Sequence, residues 1–334
     1  MPARLRQFLP ILGLAASLLL PGCNKDTESN PSIAGIAVAN DDFSVLEDAA
    51  VRGGVVGVLS NRNPADPQGN YTVFAPNNAA FARLGLRSAP DLLVLNREFL
   101  TTTLLYHVTG GTLAGSSLQP GLSSPSAAGG IARRIIRRGD ATYVNGSRVL
   151  ATDVKASNGT VHVIDKVLLA TGANIVASAV ALKDSKVFVQ PELSFLVEAV
   201  LYADASVATT LTSPGPFTVF ARTDQAFREL LTALNVTPGS AAGYVPADIR
   251  KLPKSTVTAV LLQHALPGAK FTPELPDNAS TGSAGGGAVT FGPFTDGTLT
   301  VKANGNGNNV ARMVIPDVQC TNGVVHVIDR VLLP

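Results

Sequence analysis

The chain has 334 residues, with 26 Lys and Arg against 24 Asp and Glu, a formal net charge of +2, two cysteines and no tryptophan. Such a near balance of charge leaves no basic field for nucleic acid or for an acidic membrane surface, so nucleic acid is not an expected partner. Two cysteines allow at most one disulfide, so the fold must rest on buried apolar surface, which a chain of this length can supply.

Taken from the N-terminus, Arg4 and Arg6 precede an apolar run over residues 8–20. A run of this length is short of the roughly 20 apolar residues of a membrane span and suits the core of a signal peptide. It ends in Leu20-Pro21-Gly22-Cys23, which resembles the bacterial lipoprotein signal: a leucine three residues before a cysteine, with a small residue next to it. The resemblance implies that residues 1–22 are removed and that Cys23 carries a lipid. It also implies a protein held at a membrane of the cell envelope, with the outer membrane and surface exposure as the expected location. An ordinary secretory signal, giving a periplasmic or secreted protein, is the alternative. Without residues 1–22, basic and acidic residues balance at 24 each. Residues 23–31 are polar and read as a tether; Lys25-Asp26-Thr27-Glu28 within them is similar to the surface-export signal of Bacteroidetes lipoproteins.

Two passages then occur twice, in the same order. YTVFAPNNAAF at residues 71–81 returns as FTVFARTDQAF at 217–227, and NGTVHVIDKVLL at 158–169 returns as NGVVHVIDRVLL at 322–333. The spacing is that of a whole domain and far exceeds the ~20–50 residues of a solenoid repeat. The chain therefore divides into repeats at 32–171 and 174–334, with almost no linker between them, so the two are expected to touch. Each repeat opens with apolar residues at three- and four-residue steps, a helical pattern. The strand Tyr71-Thr72-Val73-Phe74-Ala75 follows, stopped by Pro76, after which Asn77 or Asn78 caps a helix. Arg222 stands where the first repeat has Pro76, and Thr223 or Asp224 takes the capping role. Further on come Tyr106-His107 and its counterpart Gln263-His264, then Gly- and Ser-rich excursions. Asn145-Gly146 and Asn158-Gly159 between alternating runs predict hairpins. Helices first and an antiparallel meander last make an α+β pattern.

The strand-to-helix block, the His after a helix and the terminal Asn-Gly-x-Val-His-Val-Ile-Asp-x-Val-Leu together resemble the fasciclin, or FAS1, domain, twice over. The resemblance implies two tandem domains, each a β-sandwich-like pair of sheets with packed helices. It further implies surface display and cell adhesion or contact with extracellular matrix. It does not imply an enzyme, a metal or a cofactor.

The residues offer several candidate sites. The basic cluster Arg133, Arg134, Arg137 and Arg138 reads either as a solvated strand face with a charged, aggregation-resistant edge or as a docking site for an acidic partner. It ends in Arg138-Gly139-Asp140, the tripeptide read by animal integrins. Tyr106 and His107, with this stretch, are the candidate contacts for an extracellular or cell-surface protein or polysaccharide. His162, His264, His326, Asp153, Asp165, Asp317 and Asp329, with Asn77, read as structural: a histidine in such a strand more often holds a core hydrogen bond than a metal. A metal-dependent enzyme built on His107, His162 and Asp153 is the sharper alternative; a small-ligand carrier is a second. No Gly-x-Ser-x-Gly, His-Glu-x-x-His or phosphate loop is present. Cys320 matches Ala156 of the first repeat and reads as a small core side chain.

Overall fold

The computed structural model of the protein describes residues 30–184 and 193–334; Cys23, the signal-like segment and residues 25–28 lie outside the described residues. Both repeats are helices packed on a mixed sheet, the α+β class. The first repeat contributes β1 (Tyr71–Pro76), β2 (Val108–Gly110), β3 (Ser123–Pro125), β4 (Ala132–Arg138), β5 (Ala141–Val144), β6 (Ser147–Ala156) and β7 (Gly159–Ile164), followed by the short β8 (Leu169–Ala170). The second contributes β9 (Phe217–Arg222), β10 (Ala265–Pro267), β11 (Ser280–Gly282), β12 (Ala288–Phe291), β13 (Thr300–Ala303), β14 (Ala311–Cys320) and β15 (Gly323–Ile328). The sheet orders are β2-β1-β7-β6-β5-β4-β3 and β10-β9-β15-β14-β13-β12-β11, the same path twice.

The meander from β3 to β7 is antiparallel, as the turn residues predict. Asn145 sits at φ 52° in the two-residue turn from β5 to β6, a conformation asparagine tolerates better than most residues. The parallel pairing of β1 with β7, which sets Val73 beside Val161 and Phe74 beside His162, is an addition to the predicted pattern. It joins the start of the sheet to its end and buries β7 on both faces. Gly159 makes that pairing possible, since a Cβ there would lie 1.9 Å from the Tyr71 carbonyl oxygen.

Alternation along β1 sorts its side chains between two cores. Val73 and Ala75 pack with Phe81 and Leu104 under the helices. Phe74 points the other way, to Tyr106, Ile135 and Ile164. At the end of β1, the Asn77 Oδ1 accepts from the Ala80 amide at 2.9 Å and caps the helix Asn78–Ala82; Thr223, rather than Asp224, does the same for Asp224–Ala233. Asn77→Ala is expected to cost about 1 kcal/mol in urea denaturation, and an unchanged midpoint would remove the cap from the account.

Both long strands, β6 and β14, carry an irregularity at the same place. The register shifts between Ala151 and Val154 and between Ile315 and Val318. Asp153 and Asp317 stand there at φ 61° and 66°, as the residues of β-bulges that bend the strand. The two repeats are not separable beads. β8, the end of the first repeat, pairs parallel with β14 of the second, Leu169 beside Val318 and Ala170 beside Gln319, and Leu169 belongs to the second repeat's core.

Candidate functional site

Strand β4 holds the arginine cluster, and its alternation explains where each one goes. Arg133 and Ile135 face the first repeat's own core, while Ile136 packs with Tyr143, Phe271 and Val324, the last two from the second repeat. Arg133 is wholly buried. Its Nη1 donates to the Tyr106 carbonyl at 2.7 Å, and its Nη2 donates to Ser124 Oγ at 3.0 Å and the Pro125 carbonyl at 2.7 Å. The guanidinium also lies over the rings of Phe74 and Tyr106, 5.0 and 5.9 Å from their centroids. Burial pulls its pKa down to about 10, still charged at neutral pH.

Arg134 and Arg138 reach across to the second repeat. Arg134 Nη2 bonds Glu274 Oε2 at 2.5 Å and the Ala269 carbonyl at 3.0 Å. Arg138 donates to the Pro273 and Leu275 carbonyls at 3.1 and 2.9 Å, pairs with Asp277 at 3.3 Å and stacks over Phe294 at 4.1 Å. The expectation of a solvated charged edge is therefore corrected: β4 lies between β3 and β5, and three of its four arginines are spent inside the protein. Of the stretch, Arg137 and Asp140 are exposed, and the Arg of Arg138-Gly139-Asp140 is not free for a partner. Tyr106 and His107 are likewise buried and not a contact surface. The Tyr106 hydroxyl bonds Gln319 Oε1 of the second repeat and accepts from Asn145 Nδ2 at 2.8 Å; burial raises its pKa.

At the centre of this interface Lys166 Nζ meets Asp317 Oδ2 at 2.8 Å, both side chains 9% exposed. Lys166 also donates to the Gly297 carbonyl at 2.7 Å and Thr272 Oγ1 at 3.2 Å. Asp317 accepts from the Thr272 amide at 2.6 Å and from its hydroxyl at 2.8 Å. Burial alone would raise the Asp317 pKa, but Lys166 and these donors outweigh it, and the net direction is down. Gly146 is required beside this carboxylate, because a Cβ would lie 1.8 Å from Asp317 Oδ2. An outer pair, Arg83 with Asp296 at 2.7 Å, closes the rim.

The four histidines form two matched hydrogen-bond schemes. Nδ1–H of His107 donates to the Thr103 carbonyl at 2.7 Å, and its Nε2 accepts from the Leu168 amide at 2.9 Å. His264 repeats this with Val260 and Leu332 at 2.6 and 2.8 Å. His162 and His326 use the opposite tautomer. Their Nδ1 atoms accept from the Asp153 and Asp317 amides at 3.2 and 3.1 Å, and their Nε2–H groups donate to the Leu113 and Lys270 carbonyls at 2.8 and 3.0 Å. Each ring thus has both nitrogens engaged in its neutral form. Asp153 accepts from the Gly115 amide at 2.9 Å. Asp165 and Asp329 accept from the Arg148 and Arg312 amides, each at 2.7 Å, holding the hairpins closed. Among the described residues no group of three or more His, Cys, Asp and Glu is placed to hold a metal, so His107, His162 and Asp153 do not form the ligand set that a metal enzyme would need. Cys320 is buried in the second repeat's core, its thiol pushed up by burial.

Sequence reading missed Lys166, Gln319, Thr272 and Arg222. Lys166 stands opposite Arg330 in the repeated motif, and the motif itself does not show the contact with Asp317. Arg222, at the end of β9, is 1% exposed, with its guanidinium 4.6 Å from the Phe227 ring centroid.

Comparison with known proteins agrees with this doubled architecture. Protein sll1483 of Synechocystis sp. is 35% identical over 144 residues, covering 43% of this chain and 76% of that protein. Immunogenic protein MPB70 of Mycobacterium bovis is 30% identical over 169 residues, 46% of this chain and 83% of its own. Human periostin is 26% identical over 280 residues, 82% of this chain but 29% of periostin. A solved FAS1 domain pair from the insect cell adhesion molecule fasciclin I covers 90% of this chain at 17% identity with a TM-score of 0.38. The sequence model of the fasciclin domain matches residues 41–170 and again 191–334, and the chain belongs to the fasciclin-domain family as two tandem domains.

Proposed function

We propose that the protein is a lipid-anchored component of a bacterial cell envelope, displayed at the outer membrane, that mediates adhesion or matrix contact through its fasciclin pair. The observation that carries this reading is the interface: an embedded ion pair, a shared sheet edge and an apolar seam make the two domains one presenting body. Family membership supports a binding role, and the engagement of every histidine nitrogen supports a non-catalytic one. The anchor rests on the Leu20-Pro21-Gly22-Cys23 signal. A protein or polysaccharide partner would meet the surface that the domains leave free, which includes Arg137 and Asp140 but not the buried members of the arginine cluster. Deleting the gene is expected to reduce surface attachment of the cells, with wild-type protein restoring it. Cys23→Ala protein should leave the membrane fraction and fail to restore it. Unchanged attachment in the deletion strain overturns the adhesive role, and membrane retention of Cys23→Ala overturns the anchor.

A further inference from the structure

Arg222 differs from Arg133, also a wholly buried arginine, in one respect. Nε is unbonded in both, but Arg133 has both terminal nitrogens bonded, whereas Nη2 of Arg222 has no hydrogen-bond partner. Among the described residues no carboxylate pairs with it. Burial is the sole cause acting on its pKa, drawing it down to about 9, and the Phe227 face is the only compensation in view. Leaving donors of a buried guanidinium unpaired is costly, and a fold gains nothing from that unless something else completes them.

The side chain lines a narrow cavity of ≈ 40 Å³ between β9 and the helices Ile175–Asp184 and Ser194–Tyr202. Apart from Arg222 and His264 every lining residue is apolar, and both His264 nitrogens are already used. A volume of this size holds about three water-sized groups, which is room for the head and first methylenes of a slender chain, the remainder lying against the outer walls. Beyond it the walls continue on Val180 and Leu201, 38% and 71% exposed. The corresponding cleft of the first domain has apolar walls of the same kind with Pro76 in place of the arginine, so it has no donor to offer.

We propose that the second domain binds one unbranched alkyl carboxylate, with the carboxylate accepting from Nε and Nη2 of Arg222 and the chain lying along the apolar cavity to Val180 and Leu201. The planar fork of an arginine presents two parallel N–H groups that match the two oxygens of a carboxylate, and a desolvated site strengthens both bonds. The inference stands apart from the adhesive role, since it concerns one domain's interior.

Titration of the purified mature chain with decanoate, followed by calorimetry, tests it, with 1-decanol as the uncharged analogue. The expected result is one saturable decanoate site per chain and a weakening of about tenfold or more in Arg222→Met, while 1-decanol binds wild type and variant alike. Arg222→Met removes a buried unpaired charge and is expected to melt no lower than wild type. Leu201→Asp, at an exposed position that leaves the fold intact, should also weaken decanoate by placing a like charge beside the chain. No saturable site, two sites per chain, or decanoate affinity unchanged from wild type in Arg222→Met or in Leu201→Asp overturns the proposal.

Discussion

Replacing Lys166 by methionine is expected to lower the unfolding free energy by about 3–5 kcal/mol, the range for breaking a buried pair and stranding its partner. The stranded partner is Asp317, which would keep its Thr272 bonds but lose the Lys166 ammonium. The two Thr272 donors cannot offset a buried carboxylate on their own. Adding Asp317→Asn to Lys166→Met should restore most of the loss, because the amide oxygen still accepts from the Thr272 amide and no charge remains to be solvated. Urea denaturation of the wild type, the single and the double variant checks this. A single variant within about 0.5 kcal/mol of wild type, the range of an ordinary surface change, would mean that the pair does not hold the domains together. The size of the effect argues that the interface is part of the folded state, not a contact the domains visit.

The same residues show what a sequence displays and what it conceals. Asn77, Asn145 and the turn at Gly159 were legible because caps and hairpins are local: each is settled by neighbours a few positions away. The parallel pairing of β1 with β7 was not, since nothing within YTVFA or TVHVI states which distant strand it meets. The arginine cluster was legible as a strand and illegible as a surface. Arg133 is buried because the Tyr106 carbonyl, far back in the chain, is there to receive it, and Arg134 and Arg138 are paired because Glu274 and Asp277 arrive from the other repeat. Some differences between the repeats mark the contact with the second domain. Tyr106 replaces Gln263 where the first domain must bond Gln319 across the interface, while Gln263 bonds Ser283 and the Ala288 carbonyl within its own domain. Pro76 against Arg222 is a difference of another kind, since Arg222 lies over Phe227 inside its own domain.

Acid should weaken the protein well before its carboxylates are neutralised. All four histidines have pKa values pushed down by burial, His107 to about 4 and His264 well below its ordinary value. The charges facing them differ: Arg133 and Arg222 add to the depression at His107 and His264, while Asp153 and Asp317 oppose it at His162 and His326, where Lys166 acts against Asp317. In each case the folded chain binds fewer protons than the unfolded one below the ordinary value of 6.5. Their stabilising contribution is therefore full above pH 6.5 and is lost as pH falls through the folded values, to about 4 for His107. For that residue alone the loss amounts to about 3 kcal/mol. Asp317, held below 3.8, adds its own loss only at still lower pH. Protonation also puts a hydrogen on the ring nitrogen that accepts a backbone amide, from Leu168 in the case of His107, so the bond is replaced by a clash of donors. Urea midpoints measured from pH 7.5 to 4.5 should hold level down to about 6.5 and fall below it, and His107→Gln, which keeps an acceptor and cannot titrate, should show a shallower fall. A midpoint independent of pH over that range would show that the rings are not held neutral by the fold.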